Sequence, residues 1–259
     1  MAIPRGGVLH KPKILLTDIE TAPNLSWVWG RWEQNVIDVH THWYMLSFAY
    51  KWYGTKRVHV HALPDYPLWK KDREDDRSLV LDFWKILDEA DIVIAHNGDA
   101  FDLKKGNARF IQHGLKPPAP YKSVDTLKLA RRHFKFDSNK LDDLGNSLGV
   151  GRKLPHTGKH LWFGCMAGNP AAWKKMRRYN AHDVTLLERV YEKLKPWAPN
   201  HPNLNLYGNS CGCPGCLSTN VQRRGLSYTK SIVRQRWQCL DCGTWFSGAL
   251  HARAKAPAS

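Results

Sequence analysis

The sequence of 259 residues is poor in acidic side chains and has no long apolar run. It contains 23 Asp and Glu residues against 39 Lys and Arg residues, which gives a formal net charge of +16. So large an excess destabilises a compact chain through self-repulsion, and phosphate backbones are the commonest partners that offset it. No segment is apolar enough to span a bilayer, and no signal-peptide core follows Met1. These absences exclude an integral membrane protein and favour a soluble, cytoplasmic protein with a nucleic-acid partner.

Cysteine is almost absent outside one short region. Five of the six cysteines lie between Cys211 and Cys242, and without a secretory signal they are not expected to form a disulfide scaffold. Two C-x2-C pairs separated by 22 residues instead predict a zinc ribbon with one structural Zn²⁺. The predicted ligands are Cys213, Cys216, Cys239 and Cys242, with Cys211 as the alternative to Cys213. The sixth cysteine, Cys165, is expected to be a small buried hydrophobe.

The predicted ribbon is strongly basic. From Gly212 onward the sequence contains seven Lys or Arg residues and one acidic residue, Asp241. Basic side chains alternate with Tyr228 and Trp237, which favours contact with nucleic acid over the two alternatives, a structural clip and a protein-docking module. The candidate contacts are Arg223, Arg224, Arg234 and Arg236.

The larger part of the sequence alternates between strand and helix patterns. Strands are predicted at Lys13–Ile19, around Phe48, around Val60, at Ile92–Ala95 and at Tyr121–Asp125. Helices are predicted after Asp76 or Ser78, over Asp102–His113, around Leu127–Phe134, around Leu141–Leu148 and over Asn169–Leu194. Three tightly joined strands followed by alternating helices and strands are typical of an α/β fold with a mixed sheet.

Composition divides the sequence into four segments. Residues 1–195 are predicted to form the α/β domain, and residues 196–210, rich in Pro and Asn, to form a linker. Residues 211–248 are too few for an apolar core of their own, so the ribbon is expected to depend on its metal. Residues 249–259 are expected to be a disordered tail.

Three acidic motifs lie in the predicted α/β domain. They are D-x-E at Asp18 and Glu20, N-x3-F-D at Asn97, Phe101 and Asp102, and Y-x3-D at Tyr179 and Asp183. The spacing puts the first pair on one face of a strand and the last pair on one face of a helix. Taken singly, the first pair suits a solvated edge strand. Asp102 suits a helix cap, a role for which Asp99 competes.

In this order the motifs resemble the DEDD exonuclease superfamily over about residues 13–195. Its tyrosine subclass, which includes the proofreading domains of family-B DNA polymerases, is the most similar, because Arg178 stands where the histidine subclass has its histidine. Stand-alone ribonuclease-H-like proteins of bacteriophages and prophages are similar too, which would make the cytoplasm that of a host cell. The resemblance implies a ribonuclease-H-like fold with a mixed five-stranded sheet flanked by helices.

The resemblance also implies a chemistry for the site. The metal-binding carboxylates would be Asp18, Glu20, Asp102 and Asp183, holding two Mg²⁺ or Mn²⁺ ions, which prefer oxygen ligands. Tyr179 would orient the attacking water. The implied activity is 3′→5′ exonucleolytic hydrolysis of single-stranded or frayed DNA, with DNA preferred over RNA. The alternatives are a structure-specific endonuclease and a catalytically silent adaptor that binds nucleic acid.

Basic and aromatic residues around the motifs are further candidates for nucleic-acid contact. They are Asn97, Phe101, Arg131, Arg132 and Arg178. The first two arginines belong to a basic stripe, Lys128–Lys135, that no acidic residue in the helix offsets. The three tryptophans of WVWGRW, residues 27–32, are expected to pack in the protein in preference to stacking on bases. His156 and His160 are placed in a loop and are not predicted ligands.

Overall fold

The computed structural model describes residues 11–32, 35–208 and 212–250, except for the side chains of residues 249 and 250. The chain divides into two compact units, one of residues 13–191 and one that begins at Glu192. None of the described helices is long and apolar enough to cross a membrane. Cys211 and residues 251–259 lie outside the described residues, so the alternative zinc ligand and the disordered tail stay predictions.

The first unit is built on one five-stranded sheet. The strands of this unit are β1 (Ile14–Thr21), β2 (Leu25–Trp27), β3 (Asp38–Thr41), β4 (Met45–Trp52), β5 (His59–Ala62), β6 (Ile92–Ala95) and β7 (Lys122–Asp125). Five of them form a sheet in the order β5-β4-β1-β6-β7, in which β4 runs antiparallel to β1 and β5 while β6 runs parallel to β1 and β7. The predicted mixed five-stranded sheet is therefore confirmed.

Helices flank this sheet. They are α1 (Arg77–Glu89), α2 (Asp102–Gln112), α3 (Thr126–His133), α4 (Leu141–Ser147), α5 (Lys159–Met166) and α6 (Pro170–Leu194). Helix α1 buries Val80, Phe83 and Leu87, which recur at the spacing of one helix face. Phe83 and Met176 of α6 join Phe48 of β4 in one buried apolar cluster. The α/β class is confirmed by this packing of helices on a sheet.

The pairing of β1 leaves part of this central strand open on one side. Strand β6 pairs only with residues 14–16, whereas β4 pairs with residues 15–21. Beyond Leu16 the freed edge is met by the first residue of α2, because the backbone N–H of Ile19 donates to Asp102 Oδ1 at 2.9 Å. The irregular edge of the sheet therefore brings a helix N-terminus to the acidic end of β1.

One helix and one pair of strands of this unit were not predicted. Helix α5 includes His160, so the prediction that this histidine lies in a loop is wrong. Its apolar face is short, with Leu161 and Cys165 as the buried residues, and so small a repeat gives little periodic signal. Strands β2 and β3 pair with each other in a separate two-stranded sheet, and with three and four residues they are too short to give a clear alternating pattern.

The second unit contains a three-stranded antiparallel sheet. Its strands are β8 (Val221–Tyr228), β9 (Val233–Cys239) and β10 (Trp245–Leu250), with β9 in the middle. The predicted linker contains two short 3-10 helices, Lys195–Trp197 and Leu204–Leu206. Leu204 is buried, and its N–H donates to the Pro214 carbonyl at 2.9 Å. The end of the predicted linker therefore packs against the first cysteine pair.

Candidate active site and cysteine cluster

Strand β1 positions the first two carboxylates. Asp18 and Glu20 are two residues apart, so both project from the same face of the strand, opposite Ala49 and Ser47 of β4. Both are partly buried. The Glu20 carboxylate accepts a hydrogen bond of 3.0 Å from the Trp162 indole of α5. The solvated edge strand is therefore the wrong interpretation of this motif, since β1 is the middle strand of its sheet.

A tight turn brings Asp102 to the same place. Asn97 adopts a left-handed backbone with φ 64°, which asparagine tolerates, and its N–H donates to Asp125 at 2.9 Å. A Cβ at Gly98 would lie 2.4 Å from the Ala95 Cβ, so only glycine fits there. Asp102 is buried and bonds to Ile19 of β1. No side-chain cap bond is found at the start of α2, so the helix-cap interpretation does not hold.

Asp99, the rival of Asp102, points elsewhere. Its carboxylate accepts hydrogen bonds from Ser123 and, at 2.6 Å, from the Lys128 ammonium. These contacts remove Asp99 from the acidic site. They also pair Lys128, the first residue of the basic stripe, with an acid from outside its helix.

Helix α6 carries the third motif. Tyr179 and Asp183 are one turn apart and both are buried, as the helical spacing predicts. Asp183 Oδ2 accepts a hydrogen bond of 2.6 Å from Lys153. Its other oxygen, Oδ1, is buried and has no hydrogen-bond partner. A buried carboxylate oxygen without a donor is costly, and a cation bound at this atom would offset that cost.

The three motifs meet in one acidic cluster. Ligand oxygens of Asp18, Glu20 and Asp183 all lie within 4.8 Å of one another. Burial, then repulsion by Glu20, raises the pKa of Asp18 well above its usual value. Burial, then repulsion by Asp183, raises the pKa of Glu20 to about 8, and burial raises that of Asp102 to about 7. The cluster therefore resists being fully ionised unless positive charge enters it.

Lys153 supplies part of that positive charge. Its ammonium donates to Asp183 at 2.6 Å and to the Tyr179 hydroxyl at 3.1 Å. Burial would lower the pKa of Lys153, but the carboxylates of Asp183 and Asp18 raise it above its usual value. The charged form of the lysine is thus favoured. Lys153 lies between the second and third motifs, where no spacing rule identifies it.

Asn180 holds Asp18 in place. This fully buried amide donates to Asp18 Oδ2 at 2.7 Å and to the Asp18 carbonyl at 3.1 Å. The Ser47 hydroxyl donates to the Asn180 carbonyl oxygen at 3.1 Å, which fixes the orientation of the amide. Asn180 directly follows Tyr179 in the sequence, so α6 contributes both an acidic ligand and the support of another.

The donor set suits hard divalent cations. All of its oxygens are carboxylate oxygens, which Mg²⁺ and Mn²⁺ prefer, and thiolates are absent from it. The unpartnered Asp183 Oδ1 and the raised pKa values of Asp18 and Glu20 are the features that a bound cation would relieve. Asp102 accepts a hydrogen bond from Ile19 of β1 and so lies next to this group. It is not one of the three residues whose ligand oxygens all lie within 4.8 Å of one another.

Three clefts open around the cluster. One of about 360 Å³ lies on the Glu20 side and is lined by Trp43, Lys105, Lys159 and Trp162 among others. A second of about 650 Å³ contains Asn97, Arg131 and Lys153, and a third of about 430 Å³ contains Arg178 and Tyr179. Three of the predicted nucleic-acid contacts therefore line clefts that reach Lys153 or Tyr179, and Arg132 lines none of these three.

The aromatic candidates for nucleic-acid contact in the first unit are all exposed. Phe101 is exposed, with the Lys105 ammonium 5.2 Å from its ring centre. The tryptophans of residues 27–32 are exposed as well, so the prediction that they pack in the protein is wrong. They belong to the β2–β3 hairpin, which contributes nothing to the buried apolar cluster.

Comparison with known proteins adds a family. A model of the RNase_H superfamily matches residues 33–195, which is more than half of the chain. The chain belongs to the RNase H superfamily. The match begins after β1, so Asp18 and Glu20 lie outside the matched residues, and their assignment depends on the geometry above. No curated protein sequence matches the chain.

A solved structure shows the same fold. The family B DNA polymerase from the hyperthermophilic archaeon Pyrobaculum calidifontis is similar, with a TM-score of 0.51 and 19% sequence identity. The similarity covers 78% of this chain and 26% of the polymerase chain, so this chain spans about a quarter of that protein. Together with the family, the fold supports a nuclease that binds nucleic acid, and RNase H-like nucleases generally use divalent metals.

The cysteine cluster forms a second candidate metal site, in the second unit. The four sulfur atoms of Cys213, Cys216, Cys239 and Cys242 lie within 4.8 Å of one another. Two of the distances between sulfurs are 3.6 and 3.7 Å. A tetrahedral Zn²⁺ with Zn–S bonds of about 2.3 Å requires sulfurs about 3.8 Å apart. The observed spacing therefore fits zinc.

The four arginines predicted to contact nucleic acid in the second unit lie on its sheet. The predicted contacts Arg223, Arg224, Arg234 and Arg236 are all exposed. The Arg223 guanidinium lies 5.3 Å from the Trp237 ring centre, and that of Arg236 lies 5.3 Å from the Trp245 ring centre. This surface combines cations with aromatic faces, which suits phosphates and bases alike.

Proposed function

We propose that the chain is a metal-dependent 3′→5′ exonuclease that acts on single-stranded or frayed DNA. The observation that carries the proposal is the meeting of Asp18, Glu20 and Asp183 within 4.8 Å, beside Asp102 and Tyr179, in a protein of the RNase H superfamily. The three motifs span about 165 residues of the chain. Bringing their buried acids together is unfavourable without cations, so folding stability alone does not explain the cluster.

Two divalent cations, when bound, would supply an activated water and stabilise the leaving oxygen. Asp18, Glu20 and Asp183 would hold the first and Asp18 and Asp102 the second, in line with the family resemblance. Tyr179 would orient the attacking water through its hydroxyl, which already lies within hydrogen-bond distance of Lys153. Lys153 lies beside the site through its contacts with Asp183 and Tyr179, and it would stabilise negative charge that develops on the phosphate.

Polarity and substrate are supported by resemblance. The D-x-E, N-x3-F-D and Y-x3-D order resembles the tyrosine subclass of DEDD exonucleases, and a polymerase that makes DNA shares the fold at 19% identity. We therefore favour DNA over RNA and a 3′ end over an internal bond. The structure-specific endonuclease remains the alternative that the same cluster could serve.

Matched oligonucleotides test the proposal directly. DNA and RNA strands labelled at the 5′ end should be shortened one nucleotide at a time with Mg²⁺ or Mn²⁺, the DNA faster, and should stay intact in excess chelator. Strands labelled at the 3′ end should release labelled mononucleotide at once. A circular strand should survive. Rapid cleavage of the circle would replace the exonuclease with the endonuclease.

We also propose that the second unit is a zinc ribbon that contributes affinity for nucleic acid. The fit of four sulfurs to a tetrahedral ion supports the metal, and the exposed arginines support phosphate contact. Zinc should be found at one ion per chain by elemental analysis. If no zinc is found while the cysteines stay reduced, the ribbon assignment is wrong.

A further inference from the structure

The β2–β3 hairpin displays an unusual amount of apolar surface. Trp27, Trp29 and Trp32 are 62%, 83% and 86% exposed. Four smaller apolar residues of the same segment are exposed as well: Leu25, Val28, Val36 and Ile37. Single exposed apolar side chains are ordinary, but a contiguous group of this kind marks an interaction surface.

These exposed side chains add little to the packing of the protein. Its two strands pair with each other and not with the main sheet, and among the described residues of this segment, 25–32 and 35–41, none belongs to the buried apolar cluster. Trp27 meets His40 edge-on, with ring centres 6.1 Å apart. For Trp29 and Trp32, the described residues show no aromatic ring against the indole.

Both ends of the hairpin border the cleft beside Glu20. The Ala22 N–H donates to the Tyr44 carbonyl at 2.9 Å, and Asn24 accepts a hydrogen bond of 2.8 Å from the Trp43 N–H. Residues 21–24 and Trp43 line the cleft. The hairpin is therefore an extension of the cleft wall, one short segment beyond the acidic cluster.

Cations accompany the indoles. The Arg31 guanidinium lies 6.0 Å from the Trp32 ring centre. At the foot of the hairpin, the Lys105 ammonium lies 3.8 Å and the Arg109 guanidinium 5.8 Å from the Trp43 ring centre. Indole faces together with nearby positive charge are what single-stranded nucleic acid requires, since every base can stack and every phosphate is an anion.

We infer that the hairpin is a stacking platform for the bases of a single strand whose end lies at the acidic cluster. Trp29 and Trp32 hold bases that have not yet reached the cleft, and Arg31 and Lys105 contact the phosphates between them. The inference rests on the proposed nucleic-acid substrate. It assigns to the hairpin a sequence-tolerant hold on the strand, because stacking does not distinguish one base from another.

Binding measurements test the platform separately from the chemistry. A fluorescent oligothymidylate and an abasic strand of the same length are titrated with the full chain in EDTA, and gels confirm that the strands stay intact. Trp29→Leu and Trp32→Leu should each weaken binding of the oligothymidylate about tenfold, a typical contribution of one stack. Trp29→Phe and Trp32→Phe should retain most of the affinity, because phenylalanine keeps an aromatic face.

The controls define what would overturn the inference. Trp197→Leu, at a tryptophan of comparable exposure outside the hairpin, should leave affinity unchanged. Affinity for the abasic strand and the slope of affinity against salt should be the same in wild type and variants. Equal weakening for both strands, or equal effects of Leu and Phe, would refute stacking. Unchanged affinity, together with loss of self-association or of binding to anionic vesicles, would assign the hairpin to a second copy or to a lipid surface.

Because no cleavage is needed, the platform and the exonuclease proposal fail separately. Loss of stacking-dependent binding with normal metal-dependent cleavage would remove the platform alone. Normal stacking without any cleavage in Mg²⁺ or Mn²⁺ would remove the exonuclease alone. The Phe variants also serve if the Leu variants lower the thermal stability.

Discussion

The two candidate metal sites are assembled in opposite ways. The cysteine cluster draws its four ligands from residues 213–242, and two of its pairs are local C-x2-C turns. The acidic cluster draws its oxygens from β1, the start of α2 and the middle of α6. A site of the first kind forms with its metal, whereas a site of the second kind exists only after a whole domain has folded around it. Metal removal should therefore have different consequences in the two units.

The largest expected effect is on the second unit. Cys239→Ser should release zinc and unfold the ribbon, because binding of Zn²⁺ by small zinc modules provides about 10–16 kcal/mol of folding free energy. Cleavage should persist at high enzyme concentration. Affinity for DNA should fall, and its slope against salt should become shallower by about three if all four ribbon arginines contact phosphates. Zinc analysis and anisotropy titrations measure both, with Cys165→Ala as the control.

An unchanged salt slope in Cys239→Ser would remove the arginines from the nucleic-acid interface and favour protein docking. Unfolding of the first unit together with the ribbon, seen as loss of all cleavage, would contradict the independence of the two sites.

Next in size is the loss of one ligand of the acidic cluster. Asp18→Ala and Asp183→Ala should each lower cleavage at least a thousandfold, since removal of a group that acts on the developing charge costs this much. Neither should unfold the chain, because each removes a buried charge of raised pKa. Single-turnover cleavage and circular dichroism test the two statements. Asp99→Ala, at the acid paired with Lys128, should retain full activity.

A smaller effect is expected at the support of Asp18. Asn180→Leu should weaken Mn²⁺ binding about 10–100-fold, as loss of a hydrogen bond to a metal ligand does elsewhere. Ser47→Ala should act in the same direction and more weakly, because it frees the amide to turn. Thr17→Val is the matched control. It removes a buried hydroxyl of the neighbouring strand β1, which donates to the Ala49 carbonyl and not to the Asn180 amide. Calorimetric Mn²⁺ titration distinguishes loss of affinity from loss of turnover.

Tyr179→Phe should lower turnover about tenfold and leave Mn²⁺ and DNA affinity nearly unchanged, because its hydroxyl acts on the attacking water in the transition state. Tyr66→Phe removes a tyrosine hydroxyl outside the acidic cluster, which donates to Asp82 at 2.8 Å, and should leave cleavage unchanged. Weaker DNA binding at unchanged turnover in Tyr179→Phe would make this residue a binding residue.

The last expected effect is on stability against pH, and it concerns the metal-free protein. The folded pKa values of Glu20 and Asp102, about 8 and about 7, lie above their usual values. In the metal-free protein the unfolded state therefore loses protons first. The free energy of unfolding should decrease as pH rises from about 4 to about 8. Saturating Mg²⁺ should flatten this decrease. Thermal unfolding in EDTA and in Mg²⁺ measures it, and a decrease of equal size in both would separate the carboxylates from the cation.

The residues that come together in both candidate sites could be predicted from the sequence, for different reasons. Cysteine spacing is local, so the four ribbon ligands follow from it directly. Asp18, Asp102 and Asp183 are spread along the chain, and only the order of three motifs indicated that they meet. The N-x3-F-D motif favours Asp102 over Asp99, and the turn at Asn97 and the open edge of β1 give the physical reason, because they bring Asp102 to Ile19.

The residues that support the acidic cluster could not be predicted. Lys153 lies in an irregular segment and reaches Asp183 across the fold, and Trp162 lies on a helix with a weak apolar pattern. Asn180 could have been suspected, because a buried amide on the inner side of α6 needs partners. The exposure of Trp29 and Trp32 was missed because aromatic residues are usually assigned to the core.

The ammonium of Lys153 gives the acidic cluster a counter-ion that belongs to the chain. Lys153 bonds to Asp183 Oδ2 and leaves Oδ1 without a partner, so a metal that binds Oδ1 would enter a cluster whose negative charge is already partly neutralised. Binding to such a cluster gains less free energy than binding to an uncompensated one, so the affinity for a single ion should be modest. The first unit would then fold without bound metal, and its proposed activity would follow the magnesium concentration.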